Sequence, residues 1–159
     1  MKYTDEELRN SDYFNRLIKV NKQSATVLNK IVRWLDNNKK EYITIENPPY
    51  MKLSIEFIYP MIPVKNESTD GTRCISVCHY GELNGDLMRD PEIVYFIKDK
   101  QFYPVYFRND YVGVEQFVYR HTEDGTIEDL YINQELVGFT ALWIKNMVEQ
   151  GFLEKLGIT

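Results

Sequence analysis

His79, Glu82, Asp86, Asp90 and Glu92 lie close together in the stretch "HYGELNGDLMRDPE". One imidazole and four carboxylates can do two kinds of chemistry. Carboxylate oxygens suit a hard cation such as Mg²⁺ or Mn²⁺. A metal-dependent phosphodiester hydrolase would use such a set to hold the ion and orient a water. In that reading Asp86, Asp90 and Glu92 are the metal ligands, with His79 and Glu82 completing the catalytic set. The same stretch also carries turn signals. Asn84-Gly85 supplies positive φ, and Asp90 before Pro91 can bond its own backbone. The bland expectation is therefore a structured loop without metal, cofactor or catalytic residue. The spacing fits no zinc pattern and no D-x-D-x-D-G calcium loop. A Cys78–His79 nucleophile pair is disfavoured, because neighbouring strand residues point to opposite faces.

These residues need elements to position them. "RCISVCHY" reads as a strand with Ile75, Val77 and His79 on one face and Cys74, Cys78 and Tyr80 on the other. Cys74 and Cys78 would then sit about 13 Å apart, too far for a disulfide, which suits a cytoplasmic compartment. Leu28, Ile31, Val32 and Leu35 recur at helical spacing and place a helix over 24–38, with Ser24 as its cap. "EYITIENPPYMKLSIEFIYP" reads as two strands broken at Pro48 and Pro49. The second alternates Met51, Leu53, Ile55 and Phe57 with polar residues, so one face is wet. "PVKNESTDGTR" is a polar loop. A three-strand meander follows Glu92, turning at "DK" and "ND"; "HTEDGTIED" is a second acidic loop. The last helix begins near Gln134, with Leu136, Phe139, Trp143 and Met147 as its stripe, and Gly151 stops it.

The whole is a two-layer α+β domain. An antiparallel sheet of about five or six strands carries an N-terminal and a C-terminal helix. Residues 24–159 form this single domain. Residues 1–23 read as a helical extension opened by a Thr4–Glu7 capping box. The N-terminus lacks a signal-peptide pattern and no stretch is apolar enough to span a bilayer, so no membrane partner is expected.

Charge is uneven. The net charge is −5. Yet Arg16, Lys19, Lys22, Lys30, Arg33, Lys39 and Lys40 stand against Asp36 alone in residues 16–40. Lys22, Lys30, Arg33, Lys39 and Lys40 are thus candidate nucleic-acid contacts. The twelve tyrosines offer another surface. Tyr rings combine an apolar body with a polar tip and serve interfaces well. Tyr80, Asn84, Tyr103, Tyr106 and Tyr111 are the candidate protein-binding residues.

The combination of His79-Tyr80, Asn84-Gly85-Asp86-Leu87-Met88 and Asp90-Pro91-Glu92 resembles the signature of a family of small bacterial and phage proteins known only as a domain of unknown function. "YMKLSIE" at Tyr50–Glu56 and "ALWIKNMVEQGF" at Ala141–Phe152 resemble its flanking segments. Gly81 and Leu83 depart from that pattern. The resemblance implies a setting on plasmids, conjugative elements or prophages. It implies no reaction, cofactor or catalytic residue. Together these features favour a non-enzymatic accessory protein that binds a host or element protein, such as a nucleic-acid-guided defence nuclease. The hydrolase and the nucleic-acid-binding module are the alternatives.

Overall fold

The structure, a computed structural model, describes residues 2–4, 16–59 and 73–158. Its main body is a six-stranded antiparallel meander: β2 (Tyr42–Ile45), β3 (Lys52–Ile58), β4 (Arg73–Leu83), β5 (Asp86–Lys98), β6 (Gln101–Asn109) and β7 (Val114–Phe117), in that spatial order. A second sheet joins β1 (Lys2–Tyr3), β9 (Gly125–Glu128) and β8 (Tyr119–Thr122). Helices α1 (Lys22–Asn37), α2 (Leu130–Glu149) and the short α3 (Phe152–Lys155) complete the chain. The α+β class and the number of strands in the main sheet agree with the sequence. The small second sheet was not foreseen: "HTEDGTIED" holds β9 and the β8–β9 turn.

Alternation along the central strands makes two apolar faces. Ile93, Tyr95 and Ile97 turn toward the helices, whereas Val94 and Phe96 turn the other way. The first face meets Leu28, Ile31 and Leu35 of α1 and Trp143, Ile144 and Met147 of α2. Burying each such aliphatic side chain contributes about 1.5–3 kcal/mol. Tyr95 and Thr140, both fully buried, share a 2.8 Å hydroxyl–hydroxyl bond that ties the sheet to α2. The second face packs Val94, Phe96 and Val105 against Val118 and Tyr119.

Helix ends follow from local chemistry. Asn21, not Ser24, caps α1: its side chain accepts the Ser24 N–H at 2.8 Å. At the other end Lys39 takes φ 54° and the Lys40 N–H bonds back to the Leu35 carbonyl at 2.9 Å, closing the last turn. α2 starts four residues earlier than Gln134, because Asp129 accepts the N–H groups of Tyr131 and Ile132. Phe139 lies outside the buried stripe, which runs through Asn133, Leu136, Thr140 and Trp143. Met51 precedes β3 and is exposed. The capping-box helix after Thr4 and most of the polar loop before Arg73 lie outside the described residues. The described parts of residues 1–23 are built into the body. Lys2 and Tyr3 pair with Ile127 and Thr126, and Leu17 and Val20 are buried.

Candidate functional site

The stretch from His79 to Glu92 is not a loop. β4 and β5 run on as a two-stranded arm and reverse at Asn84-Gly85, with φ of 54° and 86°. Two central residues with positive φ are the turn that suits strand twist. Pairing runs from Leu83↔Asp86 back through Glu82↔Leu87 and Gly81↔Met88 to Tyr80↔Arg89. The next pair is Cys78↔Glu92, so Asp90 and Pro91 together oppose His79. Such a bulge re-aims the side chains on either side of it.

The five donors grouped by the sequence are thereby dispersed. His79 shares the helix-side face with Ile75 and Val77, as its alternation requires, and is 8% exposed. Its ring meets Trp143 at 5.7 Å and Phe152 at 5.3 Å. Its Nδ1 donates to the Met51 carbonyl at 3.2 Å. Burial holds the imidazole below its ordinary pKa. Glu92 lies on the opposite face, where it accepts the Ser76 hydroxyl at 2.6 Å. Asp90 accepts the Asn109 side-chain amide at 2.8 Å. Glu82 and Asp86 are exposed near the tip. Among the described residues, no group of three His, Cys, Asp or Glu side chains is placed to hold a metal ion.

What the second face does assemble is a charged lattice. Ser76 bonds Glu92, and Arg89 stands 3.6 Å from the same carboxylate. The Arg89 backbone N–H donates to Asp110 at 2.9 Å, and Arg108 donates to the other Asp110 oxygen at 2.7 Å. Arg108 also reaches Glu115 at 3.5 Å, and the Tyr106 hydroxyl donates to Glu115 at 2.5 Å. Burial, and then the Glu92 charge, push the Cys78 thiol up to about 12. Burial also raises the Tyr80 and Tyr106 phenols to about 12. The Arg89 backbone N–H heads the causes that hold the Asp110 carboxyl below its usual range. At neutral pH the thiol and both phenols therefore keep their protons. The face holds charge in place; it does not present an activated nucleophile.

Residues 22–153 match a family described as a domain of unknown function (DUF6908). The chain belongs to that family. No curated protein and no solved structure matches it. The DUF6908 span opens on the first residue of α1 and closes inside α3. It therefore contains the whole arm and both faces of the main sheet.

In the DUF6908 fold the expected binding residues part company. Tyr106 is buried, and Tyr80 and Tyr103 are half-buried, Tyr103 packing its ring 6.2 Å from Phe96. Asn84 and Tyr111 are exposed. Tyr111 folds back onto Gly81, beside the Met51 sulfur. This contact gathers the β2–β3 loop, the arm and the β6–β7 turn at one end of the sheet. Tyr50, Met51, Leu83, Leu87, Tyr111 and Val112 are exposed apolar side chains that rim this end, Leu83 and Leu87 from opposite faces of the arm.

The basic positions also separate. Lys22 and Arg33 are exposed on the outside of α1, and Lys30 is half-buried. Lys39 and Lys40 line a cavity of about 390 Å³ beyond the end of α1, together with Asp36, Glu41 and Arg73. Arg73 is already committed there. It bonds both Asp36 oxygens, at 2.8 and 3.2 Å, and lies 4.6 Å from the centre of the Phe57 ring.

Sequence reasoning missed Ser76, Arg89, Arg108, Asp110 and Glu115. It expected the turn at Asn109-Asp110, which would set Arg108 against Tyr111; the chain turns instead through 110–113, which makes Arg108 and Glu115 cross-strand partners. It missed Asn133 too, which had no visible reason to be buried in a helix. Its side chain accepts the Ile18 N–H at 2.7 Å and donates to the carbonyls of Ile18 and Pro104 at 3.0 Å each.

Proposed function

We propose that this DUF6908 protein is a non-enzymatic, cytoplasmic accessory protein of a phage or plasmid that binds and modulates a host or element protein. The observation that carries this reading is the apolar rim around the arm. Leu87, on the arm, is 67% exposed and Val112, on the β6–β7 turn, is 68% exposed. Clustered exposed apolar side chains mark interaction surfaces more often than isolated ones do. The charged lattice behind the arm supports the reading by locking Asp110, next to Tyr111, to both arginines. A backbone held in place beneath the rim has less freedom to lose on binding.

A nucleic-acid-guided defence nuclease is the concrete partner. A body of net charge −5 can compete for a basic nucleic-acid channel. The test is protection of phage or plasmid in cells that carry such a nuclease, followed by affinity measurement with the purified enzyme. Protection should vanish in Leu87→Asp/Val112→Asp, and affinity should fall as salt rises. Full protection by the double variant would overturn the rim as the contact. An affinity flat across salt would overturn the electrostatic mimicry.

A second reading rests on the exposed Lys22 and Arg33 of α1. A nucleic-acid contact there would weaken steeply with salt and in Lys22→Glu/Arg33→Glu. Gel-shift titration with single- and double-stranded DNA decides it.

A further inference from the structure

The main sheet ends on two unlike edges. β7 carries Glu115 and Gln116, and Glu115 is tied to Tyr106 and Arg108. β2 reads Tyr-Ile-Thr-Ile, with neither charge nor proline, and Tyr42 is 64% exposed. A bare edge of this kind invites another strand.

The backbone of β2 divides its hydrogen-bonding groups by alternation. The Phe57 N–H bonds the Glu41 carbonyl at 2.9 Å. In the same register Ile43 lies opposite Ile55, and Ile45 opposite Leu53. Glu41, Ile43 and Ile45 therefore bond inward to β3, and the N–H and C=O groups of Tyr42 and Thr44 point outward. No described residue pairs with those outward groups.

We propose that β2 is a homodimer edge, joining two copies antiparallel about a two-fold axis at Ile43. A two-fold contact uses the same surface twice. Outward residues must face outward residues, which leaves axes at Tyr42, Ile43 or Thr44. An axis at Thr44 sets Lys40 against Pro48, which has no N–H, and Tyr42 against Glu46. An axis at Tyr42 leaves Glu46 against Asn38, past the end of the ladder. The axis at Ile43 sets Tyr42 against Thr44 twice and Lys40 against Glu46 twice. It gives aromatic–β-branched pairs on the ladder and opposite charges at both ends, each a favourable cross-strand combination. Lys40 and Glu46 are both exposed, and Glu46 already stands 3.3 Å from Lys52, so a second lysine completes a small charge network. The two main sheets become one continuous sheet.

The test is sedimentation equilibrium of the full chain from low to high micromolar concentration. The wild type should shift from monomer to dimer mass. Thr44→Pro should stay monomeric with an unchanged circular dichroism spectrum, because it removes an outward N–H and leaves the β3 ladder whole. Lys40→Glu should weaken the dimer about tenfold, and Lys40→Glu/Glu46→Lys should restore it. Ile43→Cys should cross-link to its own copy on mild oxidation, since facing residues at a non-bonded pair sit about 4.5 Å apart. Tyr42→Cys should not. A wild type that stays monomeric at every concentration overturns the proposal, as does a dimer that survives Thr44→Pro. Should Thr44→Pro fail to fold, the charge reversal decides alone: a double variant no tighter than Lys40→Glu overturns the pairing.

Discussion

The hydroxyl of Tyr111 occupies the space that a side chain on Gly81 would need, and the Met51 sulfur lies 3.3 Å from the same point. The obstruction is the far end of a flexible, exposed ring, so it can move. Gly81→Ala should therefore cost less than about 1 kcal/mol, while turning Tyr111 away from the arm. Urea unfolding measures the first effect. A changed Tyr111 ring environment by NMR measures the second. A large loss of stability would mean that Tyr111 is held far more firmly than its exposure suggests.

Gly85 presents the opposite case. No atom stands within 4 Å of a Cβ there, but φ is 86°. Gly85→Val should destabilise the protein by about 1–2 kcal/mol through backbone strain alone. Gly85→Asn should recover much of that loss in the same unfolding assay, since Asn tolerates this region.

His79 gives the fold a pH dependence whose sign is fixed. Burial lowers its pKa in the folded state below the ordinary 6.5. Unfolded chains then take up a proton that folded ones refuse. The contribution is fully present above about pH 6.5 and is lost progressively as pH falls toward the folded value. Unfolding free energy should drop by up to about 1.4 kcal/mol per pH unit in that interval. His79→Phe, which keeps a ring between Trp143 and Phe152, should flatten the slope. An unchanged slope would assign the effect elsewhere.

Glu92 is the acceptor of a hydroxyl that has no access to water, since Ser76 is only 2% exposed. Glu92→Ala should cost about 1–3 kcal/mol, the price of a buried hydroxyl left without its partner. Ser76→Ala/Glu92→Ala should cost less than the sum of the two single changes. A double-mutant cycle measures that coupling; strict additivity would remove the bond from the stability of the arm.

Cys74 and Cys78 are buried thiols and form no disulfide. Cys78 is held at a pKa of about 12 by burial first and Glu92 second. Native protein at pH 8 should resist iodoacetamide and take up two alkyl groups once unfolded in denaturant. Mass spectrometry counts them. Rapid native labelling at Cys78 would show that the second face opens.

The parts of the fold that bury a face were legible in the sequence. Leu28, Ile31, Val32 and Leu35 announced α1, and Leu53 and Ile55 announced β3, because periodicity records burial. The arm was read as a loop for the converse reason. From Gly81 to Leu87 neither strand covers a core, so no alternation marks it. The β8–β9 hairpin escaped because its strands are four residues long and mostly polar or exposed. Of the candidate site, the Asn84-Gly85 turn and the inward face of His79 were readable from local rules. The separation of His79 from Glu92 was not. It depends on a bulge that only the pairing of β4 with β5 reveals.

Asn133 has a consequence for the order in which the chain is completed. Its amide bridges both backbone groups of Ile18 and the carbonyl of Pro104, across 115 residues of sequence in the first case. On the ribosome, residues 16–20 emerge early and meet no such clamp. They are pinned only after most of the polypeptide has been made and α2 has settled against β6. Residues 16–20, made before Pro104 and Asn133, thus gain this clamp only once both have been added.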